Sequence, residues 1–168
     1  MNPILARRSI RRFTPRPLEE EDLSALLAAA LAAPSAHNQR PWHFVVSTRK
    51  DRLEEIPAFH PYSSMMRTAA AAVLVCGEPA SKDDDFLPQD LAAATENLLV
   101  AATARGIGSC WLGVYPKESL IEGCRRWAHL PQTVIPFALV ALGWPEETKA
   151  PHPEEPDPSR IHRETWER

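Results

Sequence analysis

A short run of consecutive apolar residues, 72–76 (AVLVC), most constrains how this chain can fold. A strand with one solvated face alternates apolar and polar residues, whereas this run has no polar position, so it predicts a buried strand. A second apolar run at 133–142 is interrupted only by Pro136 and predicts another long strand. The fold must therefore cover these strands with other elements.

Two segments carry apolar residues at helical spacing and predict the main helices. Residues 19–33 begin with acidic residues, which suit the positive N-terminal end of a helix, and stop before Pro34. Pro88 suits the first turn of a long helix that runs to about Arg105, where Gly106 can end it.

Shorter segments complete the pattern. The sequence predicts further helices at 50–56, 62–70 and 117–127, further strands at 42–47 and 109–114, and a solvated acidic connection at 82–85. Helices that interleave with about four strands leave an α/β class and an α+β class open.

Size, charge and cysteine content narrow the function. The chain has 168 residues, which is one domain's worth, and its net charge of -3 argues against a wide basic face for nucleic acid. No apolar run reaches the roughly 18 residues of a membrane span, and no signal peptide is evident. The 3 cysteines are odd in number and lack metal-ligand spacing, which is typical of a reduced intracellular setting. We expect a cytoplasmic protein with neither a nucleic-acid partner nor a membrane partner.

The composition changes from Trp144 onward. Repeated prolines keep this tail extended, yet it ends in Ile161, His162 and Trp166. A disordered, solvated tail does not need such aliphatic and aromatic residues. The alternative, which we favour, is a tail that lies across another surface such as a partner subunit.

The basic run 7–12 (RRSIRR) is a candidate anion site. Arginine presents its donors in a fixed fork and is a preferred partner of phosphate. On a helix Arg7 and Arg11 would be neighbours on one face, with Ser9 adding a hydroxyl donor. A solvated basic helix end is an equal alternative.

Two loops could hold binding groups. The polar loop 35–40 joins a helix to a strand, where binding groups tend to lie, although a well-capped turn is the alternative. Residues 106–113 (GIGSCWLG) are not a dinucleotide fingerprint, because the G-x-G follows a helix and the third glycine is missing. They predict a helix end and a strand with a glycine exit, which either admits a flat ligand against bare backbone or serves as a turn.

The usual catalytic side-chain sets are missing from the sequence. It contains no G-x-S-x-G and no H-E-x-x-H, and its histidines show no metal-ligand spacing. An enzyme of this kind has to take its chemistry from a cofactor.

Several segments together resemble the nitroreductase family of FMN enzymes, in particular its short-chain branch. In chain order they are RRSIRRF, APSAHNQRPWHF, HPYSSM before AVLVCG, QDLAAATENLLVAA, GIGSCWLGVYP and SRIHRETW. No one of them is decisive, but their shared order over nearly the whole chain is specific. The resemblance implies an α+β fold with a central, mostly antiparallel sheet flanked by helices. It also implies one domain over 1–168, built as an intertwined homodimer whose extended tail, 144–168, wraps the partner.

The resemblance implies roles for the basic run. Arg7 and Ser9 match positions that hold the ribityl phosphate of FMN, with Arg8 beside them through its backbone. Arg11 matches a basic residue near flavin N1 and the C2 carbonyl, where a fixed cation stabilises negative charge.

The tail of family members also supplies a cation to the phosphate. Lys149, His152 and Arg160 compete for that role, and we favour Arg160. The chain departs from the family pattern at Arg40, where Gln is usual, and at Glu96, where Gln is frequent.

Other matches surround the flavin ring. Pro34, Ser35 and Asn38 match a loop that comes from the other subunit. Leu112 and Gly113 match backbone that approaches the N5 edge.

The remaining matches lie on the substrate side and on the long helix. Phe59, Tyr62 and Met65 fall where family members line the ring or the substrate cavity. Asp90 and Asn97 are expected to be structural.

The activity implied is a ping-pong transfer of electrons from NADH or NADPH, through FMN, to small acceptors such as nitroaromatics or quinones. The alternatives keep the flavin but change its use: reductive dehalogenation, flavin breakdown, or flavin binding without turnover.

Overall fold

The centre of the fold is a four-stranded antiparallel sheet with the strand order β1-β2-β4-β3. The strands are β1 (Trp42–Ser47), β2 (Ala71–Gly77), β3 (Gly108–Gly113) and β4 (Ile135–Gly143). The structure is a computed structural model and describes residues 2–81 and 85–166, so most of the acidic connection predicted at 82–85 lies outside the described residues. The α+β class with an antiparallel sheet is confirmed.

Helices cover both faces of the sheet. The helices of the described chain are α1 (Pro3–Ala6), α2 (Glu20–Leu31), α3 (Lys50–Glu55), α4 (Leu87–Ala104) and α5 (Glu118–Ala128), of which the last four pack on the sheet. β2 is buried at all 7 positions: Leu74 faces a cluster with α3 and α5, and Val73 faces a cluster with α2 and α4. Burial on both faces explains why this strand has no polar residue.

Two predicted features of the central region differ from the structure. In place of a helix over 62–70, only Ser64–Arg67 forms a 3-10 turn, and this turn buries Met65 and Met66. Burying these side chains in so short a loop favours a tight turn over a regular helix. Pro136 does not interrupt β4, because β2 and β4 accommodate it through a register shift opposite Val75 and Cys76.

The basic run is extended, so the predicted helical pairing of Arg7 and Arg11 is wrong. Helix α1 ends at Ala6, and Arg7 already has an extended backbone with ψ 124°. The Ile10 N–H donates to the Ser109 carbonyl at 2.9 Å, which places this run along β3. A free strand edge offers carbonyls that compete with helix formation.

The tail has two parts with different surroundings. Residues 146–152 lie against the N-terminal segment, whereas 153–166 make no such pairing with it and are exposed throughout. Ile161 is 50% exposed and Trp166 75%, with the His162 ring stacked on the Trp166 ring at 4.0 Å between centroids. The contact of this apolar end with a partner stays a prediction.

Candidate functional site

Two cavities meet at Arg11, which lines both. The first, of about 290 Å³, is lined by Arg7, Arg8, Ser9, Arg11, Lys149 and His152; we call it the basic cavity. The second, of about 640 Å³, is bordered by 60–65, by the end of β3 and by 114–117; we call it the aromatic cavity. The two cavities therefore adjoin at Arg11: the smaller one is cationic, and the larger one has aromatic walls.

The basic cavity lies where the two ends of the chain pair. Segment 146–152 runs antiparallel to segment 5–12 and is held to it along its whole length. The contacts are Glu146 N–H to the Arg12 carbonyl (2.9 Å), the Arg11 and Arg12 N–H groups to Glu147 Oε1 (2.6 and 3.2 Å), Lys149 Nζ to the Ser9 carbonyl (2.6 Å), the Arg8 guanidinium to the Ala150 carbonyl, and His152 N–H to the Leu5 carbonyl (2.8 Å).

Cations exceed carboxylates around this cavity. Arg7 Nε lies 3.4 Å from Glu96 Oε1 on α4, and Lys149 Nζ lies 3.6 Å from Glu147 Oε1. Hydrogen bonds from the Arg11 and Arg12 backbone, together with the Lys149 charge, hold the pKa of Glu147 below its usual range. The lining itself contains arginine and lysine but no carboxylate, so the cavity suits a dianion such as a phosphate monoester.

His60 joins the loop and the strand that border the aromatic cavity. Its ring is buried, and Nε2 lies 3.0 Å from the Gly113 carbonyl. Because a carbonyl only accepts, Nε2 is the donor and carries the proton. The motif HPYSSM contains His60, but the sequence predicts no role for it. The reason is that its partner lies 53 positions away, beyond the reach of any local pattern.

Gly113 lacks a side chain although the packing of the protein leaves room for one. A Cβ added at Gly113 would meet no atom within 4 Å. The backbone φ of Gly113 lies outside the left-handed region, so other residues can adopt it. At Gly143 the same addition would come within 2.9 Å of Phe13 Cδ1. The open space beside Gly113 is therefore available to a ligand.

The other residues predicted around the ring divide into two groups. Tyr62, Met65, Leu112 and Gly113 line the aromatic cavity. Phe59 does not, because its ring packs against α5: a Cβ on Gly123 would lie 2.5 Å from Phe59 Cδ2.

Arg160 lines neither cavity in the described chain. Its guanidinium pairs with Asp157 at 3.3 Å in the exposed tail. Of the three competing tail cations, Lys149 and His152 are the ones that line the basic cavity.

The loop after α2 holds Pro34, Ser35 and Asn38, and these residues line neither cavity. Asn38 has a left-handed backbone (φ 55°), and the loop is held by the Ala36 N–H, which donates to Asp90 Oδ1 at 2.9 Å.

Asp90 and Asn97 make internal contacts, as expected of structural residues. Asp90 accepts the loop hydrogen bond described above, and Asn97 Nδ2 donates to the Ala29 carbonyl at 3.1 Å, which joins α4 to α2.

The thiols are not nucleophiles at neutral pH. Burial raises the pKa of Cys76 and of Cys124 to about 12, and it also raises the pKa of Cys110. Such thiols stay protonated and unreactive. Within 2–81 and 85–166, no group of His, Cys, Asp and Glu could hold a metal ion, and no helix is long and apolar enough to cross a bilayer.

Comparisons with known proteins agree with this architecture. The sequence model described as "Nitroreductase family" matches residues 4–62 and 54–144. A relative from Methanothermobacter thermautotrophicus is 42% identical over 99% of this chain and 87% of its own length. A relative from Archaeoglobus fulgidus is 40% identical, covering 97% of this chain and 96% of its own. A crystal structure from Bacteroides thetaiotaomicron is 32% identical, with a TM-score of 0.92 over 98% of this chain and 96% of that one.

These three proteins share the name "Putative NADH dehydrogenase/NAD(P)H nitroreductase". The chain belongs to the nitroreductase family, and the resemblance found in its motifs is confirmed.

Proposed function

We propose that this protein is an FMN-dependent oxidoreductase that passes electrons from NADH or NADPH to a small organic acceptor such as a nitroaromatic or a quinone. The observation that carries this proposal is the junction of the basic and aromatic cavities at Arg11. FMN has the same two-part character, with a dianionic phosphate at one end and a flat ring at the other.

The residues at both ends fit this cofactor. Arg7, Arg8, Ser9 and Lys149 offer the donors and positive charge that a phosphate needs. Gly113 leaves room for a ring edge to approach the main chain. We propose that Lys149, with His152, takes the phosphate role for which the sequence favoured Arg160.

When bound, FMN would supply the redox chemistry, because its ring can take a hydride from the nicotinamide and pass the electrons on to the acceptor. The chain's own contribution is electrostatic and geometric. Arg11 would hold a fixed positive charge beside the ring, where it favours negative charge. Tyr62 and Met65 line the aromatic cavity, which would receive the ring. Reductant and acceptor would share this one space, so they bind in turn and ping-pong kinetics follow.

We further propose that the working unit is a homodimer. Pro34, Ser35 and Asn38 line no cavity of their own chain, and the tail ends in exposed apolar residues. Both features are accounted for if each subunit lends its loop and its tail to the other.

The purified protein is expected to be yellow and to lose its flavin absorbance when NADH or NADPH is added under argon. The measurement is a visible spectrum before and after the addition, followed by recovery of the colour with a quinone or a nitroaromatic. A yellow protein that neither nicotinamide bleaches would instead support flavin binding without turnover. A colourless protein that takes up no added FMN would overturn the proposal.

Replacing Glu96 with Gln is expected to strengthen FMN binding. Glu96 pairs with Arg7 beside the basic cavity and is about half exposed. Its negative charge therefore makes the binding free energy of a phosphate less favourable by about 0.2–1 kcal/mol, which raises Kd by up to about 5-fold. Fluorescence titration of the apoprotein measures the change. Riboflavin, which lacks the phosphate, should bind as before.

A matched control for this change is Glu54→Gln, which breaks the exposed Lys50–Glu54 pair on α3. It should leave FMN affinity unchanged. Weaker FMN binding by the Glu96 variant would show instead that Glu96 holds Arg7 in its binding position.

A further inference from the structure

We propose that Glu147 is a positioning residue: it holds the Arg11 backbone and the Lys149 ammonium group so that both cations face a phosphate in the basic cavity. This inference rests on the proposed function, and it assigns a role to a residue that lines neither cavity.

The carboxylate of Glu147 binds two successive backbone donors. Its Oε1 accepts the Arg11 N–H at 2.6 Å and the Arg12 N–H at 3.2 Å. The side chain is only 17% exposed. Hydrogen bonds to a charged acceptor are stronger than neutral ones, so this contact fixes the backbone at the residue that joins the two cavities.

The same carboxylate restrains Lys149, the lysine that lines the basic cavity from the tail segment. Lys149 Nζ lies 3.6 Å from Glu147 Oε1 and donates to the Ser9 carbonyl at 2.6 Å. An ammonium group has three donors, so it can make these contacts and still donate to a ligand. Without the carboxylate, a long lysine side chain gains rotamer freedom and has to lose it again when the phosphate binds.

Neighbouring contacts keep the fold in place when Glu147 is changed. The Ile10 N–H donates to the Ser109 carbonyl at 2.9 Å, and the Thr14 N–H donates to the Trp144 carbonyl at 2.8 Å. These bonds hold the N-terminal segment on either side of Arg11. Loss of Glu147 therefore loosens the cationic end of the site rather than unfolding the chain.

A purely structural glutamate and a positioning glutamate predict different ligand profiles. If Glu147 only stabilises the fold, its loss weakens the binding of every flavin to the same extent. If it positions cations toward the phosphate, its loss weakens the binding of FMN far more than that of riboflavin.

The experiment compares Glu147→Ala and Glu147→Gln with the wild type, using FMN, riboflavin and inorganic phosphate as probes of the apoprotein. We expect the FMN Kd to rise about 10-fold or more in the alanine variant and less in the glutamine variant, whose amide oxygen still accepts. The riboflavin Kd should change less than about 2-fold. Glu146→Gln is the control, because Glu146 is exposed and enters the pairing through its backbone.

A double variant tests whether Glu147 acts through Lys149. Lys149→Met alone should weaken FMN binding, and adding Glu147→Ala should cost less than it does in the wild type, because coupled residues are not additive. Full additivity would limit the role of Glu147 to the Arg11 backbone and overturn the lysine part of the proposal.

The outcomes separate this inference from the function on which it rests. Wild-type protein that binds FMN, together with an alanine variant that binds it equally well, overturns only the positioning role. Equal losses of FMN and riboflavin overturn it as well, in favour of a structural role. Wild-type protein that binds neither FMN nor phosphate overturns both proposals.

Discussion

Replacing Gly113 with valine is expected to remove most of the FMN affinity while leaving the apoprotein as stable as the wild type. A Cβ at this position meets no protein atom within 4 Å, and the backbone is not left-handed, so the fold has room for the new side chain. A bound flavin ring would fill that room. Forcing extra methyl groups into a filled site costs about 1–3 kcal/mol, which raises Kd about 5- to 150-fold.

The measurements are a flavin titration and the Tm of the apoprotein. Riboflavin should be excluded as strongly as FMN, because the clash is with the ring and not with the phosphate. Gly143→Val is the contrasting control: its Cβ would press on Phe13 at 2.9 Å, so we expect it to lower Tm. Normal flavin binding by the Gly113 variant would show that the ring does not approach this backbone.

Replacing Arg11 with alanine is expected to weaken FMN binding about 10- to 100-fold and to lower the reduction potential of the flavin that remains bound. Arg11 lines both cavities, so its loss removes a charge-assisted contact worth about 1.5–3 kcal/mol. The potential falls because the fixed positive charge that favours negative charge on the ring is gone.

Titration gives the affinity, and anaerobic redox titration gives the potential. Arg11→Lys should lower the reduction potential less than Arg11→Ala does, because lysine keeps the charge but lacks the planar fork of donors. Arg12→Ala removes a neighbouring cation that lines neither cavity and should change neither quantity. An Arg11→Ala protein with unchanged affinity and potential would remove Arg11 from the site.

The sequence predicts correctly those helices and strands whose own pattern of apolar residues matches the faces that they bury. The strand predicted at 42–47 occupies those residues, and the long helix predicted from Pro88 to about Arg105 is α4, Leu87–Ala104. Gly106, with φ 74°, follows that helix as predicted. Each of these signals is local, because apolar periodicity and terminating residues act over a few neighbouring positions.

The errors arose where distant partners decide the local structure. Arg7 and Arg11 have helix-compatible spacing, yet this run is extended because distant groups accept its backbone donors. The Ser109 carbonyl on β3 accepts the Ile10 N–H, and the Glu147 carboxylate accepts the next two N–H groups. Met65 and Met66 suit a helix, yet burial of both in a short loop leaves only a 3-10 turn.

For the site, the family motifs in the sequence predict a phosphate contact for Arg7 and Ser9 and a ring contact for Gly113, and these roles stay predictions. The structure adds that Arg7 and Ser9 line the basic cavity and that Gly113 lines the aromatic cavity. The sequence could not show that Lys149 closes the basic cavity, that Glu147 accepts from the Arg11 backbone, or that His60 binds the Gly113 carbonyl. Residue type and local spacing determine what a segment can bind and how it folds by itself. The site as a whole depends on contacts between residues such as Arg11 and Glu147, which are 136 positions apart. Only the folded chain decides these contacts, because closing so long a loop costs entropy that the whole packed core has to offset.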